Sequence, residues 1–244
     1  MRYKIIEVTT VIQGEGRTAG SLSVLVRTTG CPLRCEFKDS KCDTAYASWK
    51  TEEGKYEIDD VEAHIERYRH LGILQLIITG GEPLMHTDLV LDLIKLAHKY
   101  HMLACIETSG AYSLTIGEKY RESVFFSISP KLSNSDPHIS DEISFEDATR
   151  HKKMRCNYKA MKHLMSQANY QIKFVISKPE DFEEIETTMI AMDAKRQDVL
   201  LMPEGITKDQ IDAKRKWVME ACIERGYSYS DRLHVLAWDN KRYV

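Results

Sequence analysis

Ser23-Val24-Leu25-Val26-Arg27, running on into Gly30-Cys31-Pro32-Leu33-Arg34-Cys35 and then Cys42-Asp43-Thr44, decides how the chain folds. The first five residues are mostly β-branched or apolar and lie between Gly20 and Gly30, so they read as a strand. The loop that follows gathers three of the six cysteines within twelve residues. A strand that delivers a polar, thiol-bearing loop at its end points to an α/β protein, whose reactive groups collect at the C-terminal ends of parallel strands.

Working outward, strand and helix patterns alternate. Apolar runs at 74–78, 102–106, 124–128, 171–176 and 199–202 read as strands, with a last short strand at 233–238. Ile58, Val61, Ile65, Tyr68 and Leu71 follow helical spacing, and Gly72 suits a left-handed C-cap. Leu89, Leu93, Leu96, Ala97 and Tyr100 mark a second helix, and residues 157–167 a third. Ser177-Lys178-Pro179-Glu180 and Thr207-Lys208-Asp209-Gln210 have the spacing of capping boxes, the second opening a helix that reaches about Arg225. Strands alternating with helices imply βαβ units, giving an open or partial (β/α) barrel, or a doubly wound sheet, of about six mainly parallel strands. Residues 132–155 read as an irregular insertion that turns from acidic to basic.

The 244 residues are 43% hydrophobic and 29% charged with a net charge of −3, which excludes a disordered chain and does not advertise nucleic-acid or membrane binding. The opening residues lack a signal-peptide core, and no run approaches a membrane span. A cytoplasmic protein is expected, in which clustered cysteines mean metal or catalysis more than disulfides.

Three thiolates on one loop favour zinc or an iron–sulfur cluster. Structural zinc usually takes four protein ligands, and neither a second Cys-x2-Cys pair nor a nearby His supplies the fourth. A three-thiolate centre keeps a coordination position open, which suits chemistry. The next strand leads into Thr79-Gly80-Gly81-Glu82-Pro83, where paired glycines allow close backbone approach and the Glu82 carboxylate can take an ammonium group. Glu107-Thr108-Ser109-Gly110 and Ser127-Ile128-Ser129-Pro130-Lys131 follow at two more strand ends. Four consecutive strand ends lined this way form a ring of ligand groups.

This combination resembles the radical S-adenosylmethionine (SAM) enzymes, whose signature is a Cys-x3-Cys-x2-Cys loop after the first barrel strand and Gly-Gly-Glu-Pro after the second. Gln13-Gly14-Glu15-Gly16 with Gly20, Arg27, the two loops just quoted, Ser129-Pro130-Lys131 and Trp238-Asp239-Asn240-Lys241-Arg242 occur in order along the chain. As a set they resemble the 7-carboxy-7-deazaguanine synthase family. Two features depart from the pattern. The second and third cysteines are spaced Cys35-x6-Cys42, and Lys41 stands where an aromatic residue usually meets the adenine, with Phe37 as the candidate substitute.

The resemblance implies a radical SAM partial barrel in one domain over residues 1–244, with a cluster loop at 30–44. It implies a [4Fe–4S] cluster on Cys31, Cys35 and Cys42, whose fourth iron chelates SAM. The implied reaction starts with a 5′-deoxyadenosyl radical taking a hydrogen from C6 of 6-carboxy-5,6,7,8-tetrahydropterin. Ring contraction and loss of ammonia then give 7-carboxy-7-deazaguanine. SAM contacts are carried over to Lys41, Asp43, Gly81, Glu82, Ser129, Pro130, Lys131, Gln171 and Lys173. Substrate contacts are carried over to Ile12, Gln13, Gly14, Arg27 and Thr79, Arg27 being suited to a bidentate pair with the substrate carboxylate. The family also places Mg²⁺ on Thr44, a hydroxyl oxygen suited to a hard cation. An external one-electron reductant such as flavodoxin and a homodimer are expected partners, a membrane or nucleic acid not.

Two other readings stand beside this one. A glycyl-radical-enzyme activase would share the cluster loop without needing Gln13-Gly14-Glu15-Gly16 or Arg27. A zinc-dependent nucleic-acid-binding module would use the thiols and the basic stretch 150–162. Cys105, Cys156 and Cys222, and His64, His70, His86, His98 and His163, read as ordinary core or surface residues, because no spacing pairs them with a metal.

Overall fold

Side-chain alternation on the strands divides the molecule into an apolar outer layer and a polar interior. The computed structural model describes residues 4–38 and 40–242. One sheet runs in the order β1 (Ile5–Ile12), β2 (Leu22–Thr28), β3 (Gln75–Gly80), β4 (Leu103–Thr108), β5 (Val124–Ile128), β6 (Asn169–Ile176), β7 (Val199–Pro203) and β8 (Ser228–Tyr229). Only the β1–β2 pair is antiparallel. The expected six strands are β2 to β7, and the sheet adds one strand at each edge.

Register keeps like with like: Val26 pairs with Ile78, Ile78 with Ile106, Ile106 with Phe126, and Phe174 with Leu201. These residues are buried together with the apolar faces of α3 (Thr87–Lys99), α5 (Tyr158–Gln167), α6 (Asp181–Met192) and α7 (Lys208–Arg225). The alternate residues, Arg27, Thr79, Glu107, Ser127 and Lys173, face inward onto a cavity. The remaining helices are α1 (Ala45–Ser48), α2 (Ile58–Tyr68), α4 (Phe145–Arg155) and α8 (Leu233–Trp238). Gly72 is left-handed at φ +68° as expected, and Thr207 with Gln210 forms the expected capping box of α7.

Three expectations are corrected. Leu233–Trp238 is the helix α8, not a strand. So short an apolar run carries no decisive period, and the final strand is the two-residue β8 just before it. Ser177 does not cap α6. Asp181 Oδ2 instead accepts the backbone N–H groups of Ser177 and Lys178 at 2.8 and 3.2 Å, and the helix starts at Asp181. Residues 132–155 are not irregular throughout, because Phe145–Arg155 is α4. Ser144 caps it, Glu146 and Asp147 lie in its first turn, and Lys152, Lys153 and Arg155 in its last. The acidic-to-basic turn in the sequence is thus charge matched to a helix dipole.

The sheet edges β1 and β8 do not pair, and the loop joining β1 to β2 spans the gap. Leu233 N–H donates to Gly14 O at 3.0 Å and Gly16 N–H to Ser230 Oγ at 2.8 Å. Gly16 has φ +74°, and a Cβ there would fall 2.1 Å from Gln171 Nε2, so this crossing requires glycine. The loop forms the floor of the interior cavity.

Candidate active site

The cluster loop sits at the ends of β2 and β3. Gly30 N–H donates to Ala47 O at 2.6 Å, and Glu82 N–H to Gly30 O at 2.8 Å. A Cβ on Gly81 would meet Gly30 O at 2.4 Å and Ala47 O at 2.7 Å. Gly81 lines the cavity, but its lack of a side chain is first required by this contact between loops.

The expanded spacing does not separate the thiols. Residues 36–38 and 40–41 face each other as the two arms of a small hairpin, with a bridge between Glu36 and Lys41 and a Phe37 N–H to Ser40 O bond of 2.7 Å. At its neck Cys42 N–H donates to Cys35 O at 3.1 Å. Cys31, Cys35 and Cys42 all line one cavity of about 320 Å³. Burial pushes the Cys35 thiol up to about 12, raises Cys31 well above its ordinary value with Cys35 and Glu82 adding to the effect, and raises Cys42 with Asp43 adding to it. Three thiols that line one cavity and resist ionisation on their own are a donor set that a polycationic iron–sulfur centre would complete. Among the described residues, no three His, Cys, Asp or Glu side chains are grouped to hold a single metal ion.

Helix α4 grips the same loop from outside. His151 Nδ1 accepts Arg34 N–H at 3.0 Å, Arg150 Nε donates to Pro32 O at 3.0 Å, and Arg34 pairs with Asp147 at 3.3 Å. The insertion is therefore the outer wall of the cluster loop.

Most residues carried over from the resemblance meet in the cavity: Ile12, Gln13, Gly14, Arg27, Lys41, Asp43, Thr44, Thr79, Gly81, Ser129, Lys131 and Lys173. Arg27 donates through Nε to Glu7 Oε2 at 2.9 Å, with the Tyr46 ring 5.9 Å away. Gln13 Nε2 and Thr79 Oγ1 both donate to Glu107, at 3.0 and 3.3 Å. Thr44 Oγ1 lies 3.5 Å from Cys42 Sγ. Lys131 Nζ donates to Ser129 Oγ at 3.0 Å.

Others are used differently from the expectation. Glu82 is fully buried and does not line the cavity. Its carboxylate accepts from Leu84 N–H (3.1 Å), Thr108 Oγ1 (2.6 Å), Ser109 N–H (2.8 Å) and Ser109 Oγ (2.5 Å), which leaves little capacity for an ammonium group. Gln171 also lies behind the wall, donating to Ser127 Oγ and accepting Arg17 N–H, both at 2.8 Å. Pro130 is buried between two lining residues. Lys173 is ion-paired with Glu15. Lys41 and Phe37 both line the cavity, with the Lys41 side chain 57% exposed and paired with Glu142 at 3.4 Å.

The structure also brings in Glu7, Tyr46, Arg232 and His234, which the sequence did not single out. Arg232 joins Glu15 (2.9 Å) and Asp43. Burial opposes ionisation of Glu15, yet Lys173 and Arg232 hold it far below the usual carboxylate range. Arg232 is likewise raised by Asp43 and Glu15 against its burial. Contacts between residues so far apart leave no signal in local spacing.

Residues 25–192 match the sequence profile described as the Radical SAM superfamily. The 7-carboxy-7-deazaguanine synthase of Halobacterium salinarum is 37% identical over 240 residues, covering 94% of this chain and 88% of that protein. The chain belongs to the radical SAM superfamily and, within it, to the 7-carboxy-7-deazaguanine synthase family. The Rhodopirellula baltica synthase is 36% identical over 94% of this chain and 84% of its own length. The crystal structure of QueE from Escherichia coli superposes with a TM-score of 0.67 at 24% identity, covering 96% of this chain and 95% of that one, and shares the fold. Membership of the radical SAM superfamily implies a [4Fe–4S] cluster and SAM, and the three-thiol cavity fits them.

Proposed function

We propose that this chain is a carbon–nitrogen lyase that converts 6-carboxy-5,6,7,8-tetrahydropterin to 7-carboxy-7-deazaguanine with loss of ammonia, in 7-deazapurine biosynthesis. The observation that carries the reading is the junction, in one cavity, of the three thiols with Arg27, Thr79, Gln13 and Glu107. Cys31, Cys35 and Cys42 would hold the cluster. When bound, it supplies one electron to SAM and thereby a carbon radical that abstracts hydrogen.

The protein's own part is to bind, orient and shield. With Nε of Arg27 held by Glu7, its two terminal nitrogens remain for the planar, two-point pair with the pterin carboxylate. Glu107 fixes Gln13 and Thr79, and a carboxylate there accepts N–H donors from an aminopyrimidine edge. Ser129, Lys131 and Asp43 would meet SAM, and Phe37 its adenine. Thr44 would supply one hydroxyl oxygen to a Mg²⁺, a hard cation suited to oxygen donors. The floor loop, sealed by the Gly14–Leu233 bond, keeps bulk water and stray hydrogen donors from the radical.

A cytoplasmic homodimer fed by an external one-electron reductant such as flavodoxin completes the reading. Among the described residues no helix is long and apolar enough to cross a membrane. The test is anaerobic incubation of iron- and sulfide-reconstituted protein with SAM, reductant, Mg²⁺ and the pterin, followed by mass analysis. Product that depends on SAM is expected. SAM cleavage with the pterin left unchanged overturns the assignment.

A further inference from the structure

Cys42 lies beyond the hairpin, yet both its flanks are fastened. On one side Ser40 Oγ donates to Glu204 Oε1 at 2.5 Å, and the buried Glu204 also accepts from Lys214 Nζ at 3.1 Å. On the other side Asp43 pairs through Oδ2 with a terminal nitrogen of Arg232. Arg232 follows β8, far along the chain, and is buried. Its guanidinium reaches two further points of one frame: Nε donates to Glu15 Oε1 at 2.9 Å and the other terminal nitrogen to Gly205 O at 2.5 Å, Glu15 being itself paired with Lys173 on β6.

We propose that Arg232 is a positioning residue for the cofactor side of the cavity, fixing the Asp43 carboxylate, and the backbone that follows Cys42, against the Glu15 floor and the loop after β7. A planar guanidinium with five donors can hold Glu15, Gly205 and Asp43 at once, whereas a lysine ammonium is a point charge that cannot span them. Asp43 is joined directly to Cys42, so a shift of its carboxylate reaches both the thiolate and any SAM beside it. The proposal deepens the assigned function only at its SAM-binding side and does not depend on the identity of the pterin.

The test therefore contains no pterin. Reconstituted wild type, Arg232→Lys, Asp43→Asn and the double variant are first checked for iron, about four per chain, and for melting temperature. SAM binding is titrated, and the electron paramagnetic resonance spectrum of the reduced cluster is recorded with and without SAM. Arg232→Lys should keep its iron, weaken SAM by about ten-fold and diminish the SAM-induced spectral change. In the Asp43→Asn background the same change should have less than about a two-fold effect, since the group through which it acts is gone. Glu15→Gln loosens Arg232 without touching Asp43, and it decides the matter if Arg232→Lys does not fold. About three-fold weaker SAM is expected there, and unchanged affinity overturns the proposal. A lowered melting temperature with unchanged SAM affinity and spectrum in Arg232→Lys would make the residue merely structural and also overturn it, as would effects that multiply fully in the double variant. Product formation is not read, so a wrong pterin assignment leaves these results standing.

Discussion

Protonating His151 should loosen the wall that holds the cluster loop. The ring is buried in α4, and its Nδ1 accepts Arg34 N–H at 3.0 Å, so the neutral ring carries its proton on Nε2, 3.5 Å from Asp136 Oδ1. A proton on Nδ1 would face that N–H head-on. Burial, with Arg155 and Lys131 nearby, lowers the group from 6.5 to about 4. Above pH 6.5 the folded and unfolded chains are both neutral here and nothing is lost. Between 6.5 and 4 the unfolded chain takes up a proton that the folded one refuses, so stability falls as pH falls. The loss is about 2 kcal/mol by pH 5 and about 3 kcal/mol below pH 4. His151→Asn keeps an acceptor near the Nδ1 position and does not titrate. Urea unfolding of the iron-free chain, followed by circular dichroism at pH 7.5 and pH 5, gives the comparison. The variant should be less stable by about 1 kcal/mol at pH 7.5 and at least equal to wild type at pH 5. Other titrating groups contribute alike to both proteins, so the same difference at both pH values refutes the reasoning.

Further outcomes follow from the site. Cys31→Ala, Cys35→Ala and Cys42→Ala should each abolish iron–sulfur absorbance and turnover, while Cys105→Ala, Cys156→Ala and Cys222→Ala retain both. Iron retained by Cys42→Ala would contradict the hairpin reading. Arg27→Lys keeps the charge but loses the two-donor edge, so kcat/KM for the pterin should fall by at least about ten-fold while SAM cleavage without substrate changes little. Equal losses would place Arg27 elsewhere. Mg²⁺ should stimulate wild type and have little effect on Thr44→Ala, measured at full cluster loading, and a fully Mg²⁺-responsive Thr44→Ala removes Thr44 from the ion.

How far the sequence could be read depended on the range of the interactions. β2 to β7 were legible because β-branched runs buried on the sheet alternate with amphipathic helices, and the three cysteines because they share one loop. α4 was not, since it buries little beyond Ala148 and His151 and shows no apolar stripe. Its signature is the ordering of charge from Glu146 to Arg155, which reads as part of an irregular insertion. Glu82 is read from its neighbours in the chain, whereas its hydrogen bonds come from Thr108 and Ser109 at the end of the adjacent strand. Arg232 had no local mark at all, because its role comes from Glu15, 217 residues away.

That separation also dictates an order of events during synthesis. Gly14, Glu15 and Gly16 leave the ribosome long before their partners Leu233, Arg232 and Ser230. The six parallel strands can pair progressively as they emerge, each against its predecessor, while the glycine loop waits for Ser230, Arg232 and Leu233. The pocket is therefore closed by contacts of high sequence separation, the class that forms slowly. Until those contacts form, the three thiols belong to a vessel without a base.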